Sequence, residues 1–380
     1  MSPTPVSFTT PGQPASYSWE ATNEEVSARY GVPVDSIVRF DLNTSPAPPA
    51  RIERLIATGR FETSMSEYPP ADYGRLIGAA AARYGVDPSE LTVGAGADEI
   101  LDIITKAFLP VGGSAVIPVP TYAMYRVDTE QRDATVVPVL RLRERHWILD
   151  LPAVRDAAGS ADLVWLCSPN NPTALAEPDG AIADLLAGIL ADTERDGRTA
   201  PIVVLDEAYA EFTGRSLAAL RSDYPSLIVI RTASKAYALA GLRVGFAIAR
   251  PELIARMNPY RPPGSVSVVS VTLVTEALLD DTILHANLER VAAERDRLAN
   301  ALRDLGWSIG PSVTNFLLVD FGSAEAAATV SEGLLHHGLV PRTFPEGHPL
   351  ADHLRITVRD PDENDRFIAA ASAIAKESRA

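Results

Sequence analysis

Four short stretches of this chain, residues 163–167, 202–205, 227–230 and 244–249, are apolar at nearly every position. A strand with one wet face alternates apolar and polar residues, whereas a strand covered on both faces is a continuous apolar run. Helical patterns surround these runs at 74–84, 98–109 and 178–191, with further short strands at 91–93 and 115–117. The pattern predicts an α/β domain in which helices cover both faces of a mostly parallel sheet. Residues 265–305 are almost wholly helix-forming and lead into a second unit. That unit reads as strand 315–320, helix 324–337, strand 354–358 and a last helix, with Asp360 as N-cap and Pro361 at its first position. Residues 1–50 are rich in Pro, Ser and Thr, with one helical stretch (23–30) and one strand-like stretch (37–42). They are expected to form an arm that packs on the smaller domain or on a partner subunit. The expected division is arm 1–50, large domain 51–265 and small domain 266–380.

Charge narrows the range of partners. There are 34 Lys+Arg against 49 Asp+Glu, a net charge of −15, so the basic footprint that phosphate-backbone binding requires is missing and no nucleic-acid partner is expected. The most apolar run, 266–274, is interrupted by Ser267, Ser270 and Thr272 and is too short to span a bilayer. The first five residues show neither a basic nor an apolar signal region, and the single cysteine, Cys167, cannot form an internal disulfide. Both features suggest a cytoplasmic protein. None of the six histidines has helical metal-ligand spacing, so no metal site is expected.

Gly94-Ala95-Gly96-Ala97-Asp98-Glu99 follows a short strand and opens a helix. It falls short of a dinucleotide fingerprint, because Glu99 replaces the third glycine and no acidic residue closes a second strand twenty positions on. Its backbone N–H groups remain suited to holding a phosphate. Lysine occurs only at 106, 235 and 376, and Lys235 stands directly after the strand 227–230. Strand 202–205 runs into Asp206-Glu207-Ala208-Tyr209, and strand 163–167 into Ser168-Pro169-Asn170-Asn171-Pro172-Thr173. Open α/β sheets bind ligands beyond the carboxyl ends of their strands, so Asn, Asp and Lys are expected together at one edge.

Taken together, these segments resemble the fold type I pyridoxal-phosphate aminotransferases, and within that class they are most similar to histidinol-phosphate aminotransferases. The match runs in order through Gly96–Leu101, Pro120–Tyr125, Asn170–Thr173, Asp206–Tyr209, Ser234–Gly245 and His353–Thr357. The resemblance implies an α/β fold whose large domain has a mostly parallel seven-stranded sheet and whose small C-terminal domain is α+β. It also implies pyridoxal 5'-phosphate as cofactor. Lys235 is then the Schiff-base lysine that moves the substrate proton. Asp206 faces the pyridine nitrogen and keeps it protonated, Asn171 and Tyr209 donate to the phenolic oxygen, and Tyr122 stacks on the ring. The phosphate lies on the N–H groups of Ala97 and Asp98, the hydroxyls of Thr232 and Ser234, and Arg243. Arg355 clamps the substrate carboxylate, with Asn43 and Asn171 beside the substrate. Tyr68, in Glu67-Tyr68-Pro69-Pro70, is the tyrosine that in the family reaches the neighbouring subunit's cofactor phosphate, which implies a homodimer.

The chain departs from the family pattern at Leu42-Asn43-Thr44-Ser45-Pro46-Ala47, which lacks the usual glutamate and the aromatic that closes the side-chain pocket. Ala174 also replaces a glycine. Arg342 matches an arginine that lies near the substrate side chain in the family and can meet its phosphate. The implied reaction is a ping-pong amino transfer from an amino acid or amino-alcohol phosphate to a 2-oxo acid. Histidinol phosphate leads as donor and 2-oxoglutarate as acceptor. Three alternatives stay open: an aromatic or specialised-pathway aminotransferase, a decarboxylase of the threonine-phosphate type, and a non-catalytic ligand sensor on the same fold.

Overall fold

The computed structural model describes residues 16–61 and 63–377. Its strands are β1 (Val38–Arg39), β2 (Leu91–Gly94), β3 (Ser114–Val119), β4 (Thr135–Leu140), β5 (Leu163–Cys167), β6 (Ile202–Asp206), β7 (Leu227–Thr232) and β8 (Gly245–Ala249), followed by β9 (Ser308–Ile309), β10 (Phe316–Asp320), β11 (Leu339–Val340) and β12 (His353–Thr357). The helices begin with α1 (Asn23–Tyr30), α2 (Ala50–Thr58), α3 (Gly74–Tyr84), α4 (Gly96–Phe108), α5 (Met124–Gln131), α6 (Leu151–Ala158) and α7 (Ala181–Arg195). They continue with α8 (Pro251–Met257), α9 (Val268–Leu278), α10 (Asp281–Asp304), α11 (Ala324–His336) and α12 (Pro361–Glu377).

Seven strands form one sheet in the order β2-β8-β7-β6-β5-β3-β4, and only β8 runs against its neighbours. The continuous apolar runs are buried on both faces, as expected. Along β5, Val164 and Leu166 enter one core while Leu163, Trp165 and Cys167 enter the other. Each fully buried aliphatic side chain is worth about 1.5–3 kcal/mol, so a polar residue on either face of these strands would be costly. Edge strand β4 escaped the sequence reading because it is half exposed and contains Pro138, which an edge tolerates.

The smaller unit is a three-stranded antiparallel sheet, β12-β10-β9. Its core is built from Leu298, Leu302, Leu317, Leu334, Ile356 and Phe367 together with Phe40 of the arm. The helix expected over 265–305 is in fact two helices. Asp280 caps the second, its carboxylate accepting the Thr282 N–H at 3.0 Å, and a side chain that competes for backbone N–H groups in this way starts a new helix. The last helix begins as expected, with Asp360 accepting the Glu363 N–H. The first fifteen residues of the arm lie outside the described residues. The strand expected at 37–42 shrinks to β1, which pairs in parallel with β11. The chain then turns at Asn43, where φ is 52°, and enters the cleft between the units.

The sheet edge beside α4 is close-packed. A Cβ on Gly245 would lie 2.4 Å from the Gly96 carbonyl carbon and 2.5 Å from the Ala97 nitrogen, so β8 and the start of α4 meet only through glycine. Gly245→Ala is therefore expected to push α4 away from the sheet. The loss should be about 1–3 kcal/mol of stability, with weaker cofactor binding, read by thermal unfolding and cofactor titration. A variant with parent-like melting and affinity would contradict this packing argument.

Candidate active site

Three adjacent parallel strands bring the reactive groups together. Cys167 of β5 pairs with Asp206 of β6, which pairs with Ile230 of β7, so the loops carrying Asn171, Asp206 and Lys235 leave the sheet side by side. They open into a cavity of about 560 Å3 whose far wall comes from the arm and from β12. Of the fourteen residues singled out in the sequence, twelve line this cavity: Asn43, Ala97, Asp98, Tyr122, Asn171, Asp206, Tyr209, Thr232, Ser234, Lys235, Arg243 and Arg355. Tyr68 and Arg342 do not.

Lys235 Nζ faces the carbonyl oxygens of Leu42 (3.5 Å) and Asn43 (3.4 Å) and lies 5.8 Å from the centre of the Tyr209 ring. Desolvation, and then the positive charge of Arg355, lower its pKa to about 8. Asp206 is buried. Its Oδ1 accepts the Ala208 N–H at 2.9 Å and its Oδ2 accepts the Tyr125 hydroxyl at 2.7 Å. Burial raises its pKa to about 6 against the pull of those hydrogen bonds. The Tyr209 hydroxyl accepts from Asn43 Nδ2 at 3.0 Å, and the Asn43 carbonyl accepts from Asn315 Nδ2 at 3.0 Å.

At one end of the cavity, α4 begins without a side-chain cap, which leaves its first N–H groups available to an anion. The Arg243 guanidinium lies across Gly96, where a Cβ would come within 2.2 Å of Nη2. Arg243 pairs with Asp98 at 3.0 Å, and Asp98 also accepts the Tyr122 hydroxyl at 2.9 Å. The Thr232 hydroxyl bonds Ser234 Oγ at 2.9 Å. Helix N-terminus, two hydroxyls and a guanidinium around a glycine form a cradle with the donor set of a phosphate site.

At the other end, Arg355 Nη1 donates to Asn171 Oδ1 at 2.5 Å, and Nη2 donates to the Asp41 carbonyl. Its Nε is buried without a partner, and among the described residues no carboxylate lies within ion-pairing distance. A buried cation of this kind costs several kcal/mol unless an anion meets it.

Arg342 stands behind the cavity wall rather than in the cavity itself. Its backbone bridges to Arg355, but its guanidinium donates to the Ser18 carbonyl (2.7 Å), lies 3.5 Å from the Glu20 carboxylate and stacks over the Tyr17 ring. Glu20 is held in turn by the Thr343 backbone and hydroxyl. Tyr17 and Trp19 both line the cavity mouth, so the arm supplies the aromatic groups missing from residues 44–47. The sequence carried no signal for this, since their place depends on an ion pair more than three hundred residues apart. Tyr68 is 89% exposed, and its hydroxyl reaches nothing in its own subunit's cavity. Tyr125 was also missed. Its spacing of three from Tyr122, on the first turn of α5, was the available cue.

The pattern described by aminotransferase class I and II matches residues 41–370. The histidinol-phosphate aminotransferase of Thermococcus gammatolerans is 35% identical over 89% of this chain and 92% of its own length. That of Symbiobacterium thermophilum is 34% identical over 92% and 93%. Among solved structures, the Sinorhizobium meliloti histidinol-phosphate aminotransferase in complex with pyridoxal-5'-phosphate superposes with a TM-score of 0.84 at 25% identity, covering 96% of both chains. The Thermus thermophilus aspartate aminotransferase with maleate shares the fold, with a TM-score of 0.76 at 22% identity over 94% and 97%.

A lysine with a pKa of about 8 makes a specific pH signature. Covalent capture of pyridoxal phosphate by the apoprotein requires the neutral amine, so its rate should rise with pH and level off above about 8. A midpoint near the ordinary lysine value of about 10.4 would contradict the desolvated site. Lys235→Ala should keep the fold, bind the cofactor only non-covalently and lose turnover.

Proposed function

The chain belongs to the family of class I and II aminotransferases, and from that premise we propose that its amino donor is histidinol phosphate and its acceptor a 2-oxo acid, with 2-oxoglutarate leading. The protein is an enzyme, a transaminase dependent on pyridoxal 5'-phosphate. When bound, that cofactor supplies an aldehyde that condenses with primary amines and a ring that withdraws electrons from the substrate's Cα bonds.

The chain's own residues divide the remaining work. Ala97, Asp98, Thr232, Ser234 and Arg243 would hold the cofactor phosphate. Tyr122 would pack on the ring, and Asn171 and Tyr209 would donate to its phenolic oxygen. Asp206 would accept a hydrogen bond from the protonated ring nitrogen and favour that protonation. Lys235 Nζ, whose pKa of about 8 gives it both protonation states near neutrality, would take the proton from donor Cα and hand it to the carbon that was the cofactor's aldehyde. Arg355 fixes the substrate. In the amino-alcohol phosphate, a phosphorylated CH2OH stands where an amino acid carries its carboxylate, so one guanidinium meets the donor's phosphate and the acceptor's carboxylate in turn.

The observation that carries this reading is the buried, uncompensated charge of Arg355 in the cavity that also contains Lys235. A second reading, an unphosphorylated aromatic donor, is favoured by Glu20, which already counters the charge of Arg342, and by the aromatic pair Tyr17 and Trp19 at the mouth. A donor panel separates them: kcat/KM should be highest for histidinol phosphate. If an aromatic amino acid exceeds it, the first reading falls and the second stands. Arg355→Lys keeps the charge but loses the two-pronged contact. It should lower kcat/KM for donor and acceptor alike by one to two orders of magnitude, about 1.4–2.8 kcal/mol, with cofactor binding unchanged.

We also propose a homodimer with shared sites, because Tyr68 is exposed and outside its own cavity. The cytoplasm is the proposed compartment, since the buried Cys167 thiol is free. Among the described residues, no helix is long and apolar enough to cross a membrane. Mixing Tyr68→Phe with Lys235→Ala should restore part of the activity, because each heterodimer contains one site free of both lesions. If subunits demonstrably exchange and activity stays absent, Tyr68 serves its own subunit.

A further inference from the structure

Asp206 receives a second protein contact that the aminotransfer reading above does not use. Its Oδ2 accepts the hydroxyl of Tyr125 at 2.7 Å, from a side chain with no solvent exposure on the first turn of α5. Little freedom remains for that tyrosine. Its ring stacks on Trp165 with centroids 5.2 Å apart and planes 8° apart, and the edge of Tyr122 meets it at 5.7 Å. Trp165 Nε1 donates to Thr129 Oγ1 at 3.3 Å, and that hydroxyl donates to the Tyr125 carbonyl at 2.6 Å. Ring and backbone are thus clamped so that the hydroxyl stays on one carboxylate oxygen.

We infer that Tyr125 is a positioning residue that keeps Asp206 ionised and oriented, and thereby sets where the proton resides between Asp206 and the cofactor's ring nitrogen. The inference rests on the pyridoxal-phosphate reading of the site. Asp206 is a buried carboxylate. Desolvation favours its neutral form, and each donated hydrogen bond favours the charged form. Asp206 has two such donors, the Ala208 N–H and Tyr125. The other groups facing it are Cys167 from β5, Tyr209 from the loop after β6, Lys235 from the loop after β7 and Asp98 from α4, and burial raises the Tyr209 phenol as well. Burial pushes the Cys167 thiol up to about 12 and the Tyr125 phenol well above its usual value, so neither exchanges a proton near neutrality. Lys235 and Asp98 carry opposite charges. Among the described residues, Tyr125 is therefore the one neutral side chain whose hydrogen bond biases Asp206 toward the carboxylate. Without it Asp206 binds a proton more tightly, and a protonated carboxyl gives up the negative charge that holds the proton on the ring nitrogen.

The experiment is an NMR pH titration of the holoenzyme carrying pyridoxal phosphate labelled with 15N in the ring, supported by kcat and KM. Tyr125→Phe keeps the stacked ring and removes only the hydroxyl. It should lower the midpoint of ring-nitrogen protonation by about one unit or more, since a hydrogen bond to a charged group shifts a proton equilibrium roughly ten- to hundredfold. It should also lower kcat with little change in KM. Trp165→Phe, which leaves the hydroxyl in place, should keep the parent midpoint. Site-specific 3,5-difluorotyrosine at position 125 is nearly isosteric and a stronger donor, and should raise the midpoint. That arm carries the test even if Tyr125→Phe fails to fold. A midpoint that stays at the parent value in both altered proteins overturns the inference. A parent enzyme that gives no bound ring-nitrogen signal overturns the cofactor reading instead.

Discussion

Parallel pairing of β5, β6 and β7 is the constraint on which the rest of the site depends. Parallel strands share a polarity, so their carboxyl ends must emerge at one edge, and the register sets Cys167 beside Asp206 and Asp206 beside Ile230. A one-residue slip in β6 would turn Asp206 to the opposite face of the sheet, because side chains alternate with a period of two. The apolar residues that line these strands on both faces, such as Val164 against Trp165, make such a slip costly. Core packing therefore holds the reactive groups in place. Packing sets β8 in the same way, since it can lie against the start of α4 only because Gly245 and Gly96 have no side chains.

Burial sets the chemistry of what is delivered. Asp206 is raised to about 6 and Lys235 lowered to about 8, both first by desolvation, so acid and base lie closer together than in water. Arg355 cannot escape its cost by losing a proton, so it keeps its charge and relies on an amide oxygen and a carbonyl. Two neutral acceptors orient a guanidinium without neutralising it. The cavity thus holds a fixed positive charge at one end and a helix N-terminus with Arg243 at the other, an arrangement suited to two anionic groups separated by the reacting centre.

How much of this was legible depended on whether the signal was local. The runs at 163–167 and 227–230, the cap at Asp360 and the loops bearing Asn171, Asp206 and Lys235 are local patterns, and each lies where its residues suggested. The break at Asp280 was local too, but a stretch of good helix formers masked it. Strand β4 was hidden by Pro138, and β1 was overextended because the turn at Asn43 is imposed by the carbonyl and side-chain contacts of Asn315, Thr357 and Tyr209 rather than by a turn sequence. Tyr17, Trp19 and Glu20 gave no cue at all, since what positions them is Arg342 and Thr343 at the far end of the chain.

That last contact changes how the missing aromatic of the 44–47 segment should be understood. A pocket without it would be open to water, and the clamp at Arg355 would then act in a higher dielectric, where a charged contact is weaker. The arm restores the enclosure from a different direction. Arg342 stacks on Tyr17, Glu20 holds Arg342, and Tyr17 lies 6.4 Å from Tyr122 across the cavity mouth. Arg342, which anchors the arm, and Arg355, which lines the cavity, are joined by a backbone bridge in which each N–H donates to the other's carbonyl. The aromatic wall and the buried guanidinium are therefore held against the same short stretch of backbone. Of these two guanidinium groups, that of Arg342 fixes the aromatic wall from behind, and that of Arg355 faces the cavity.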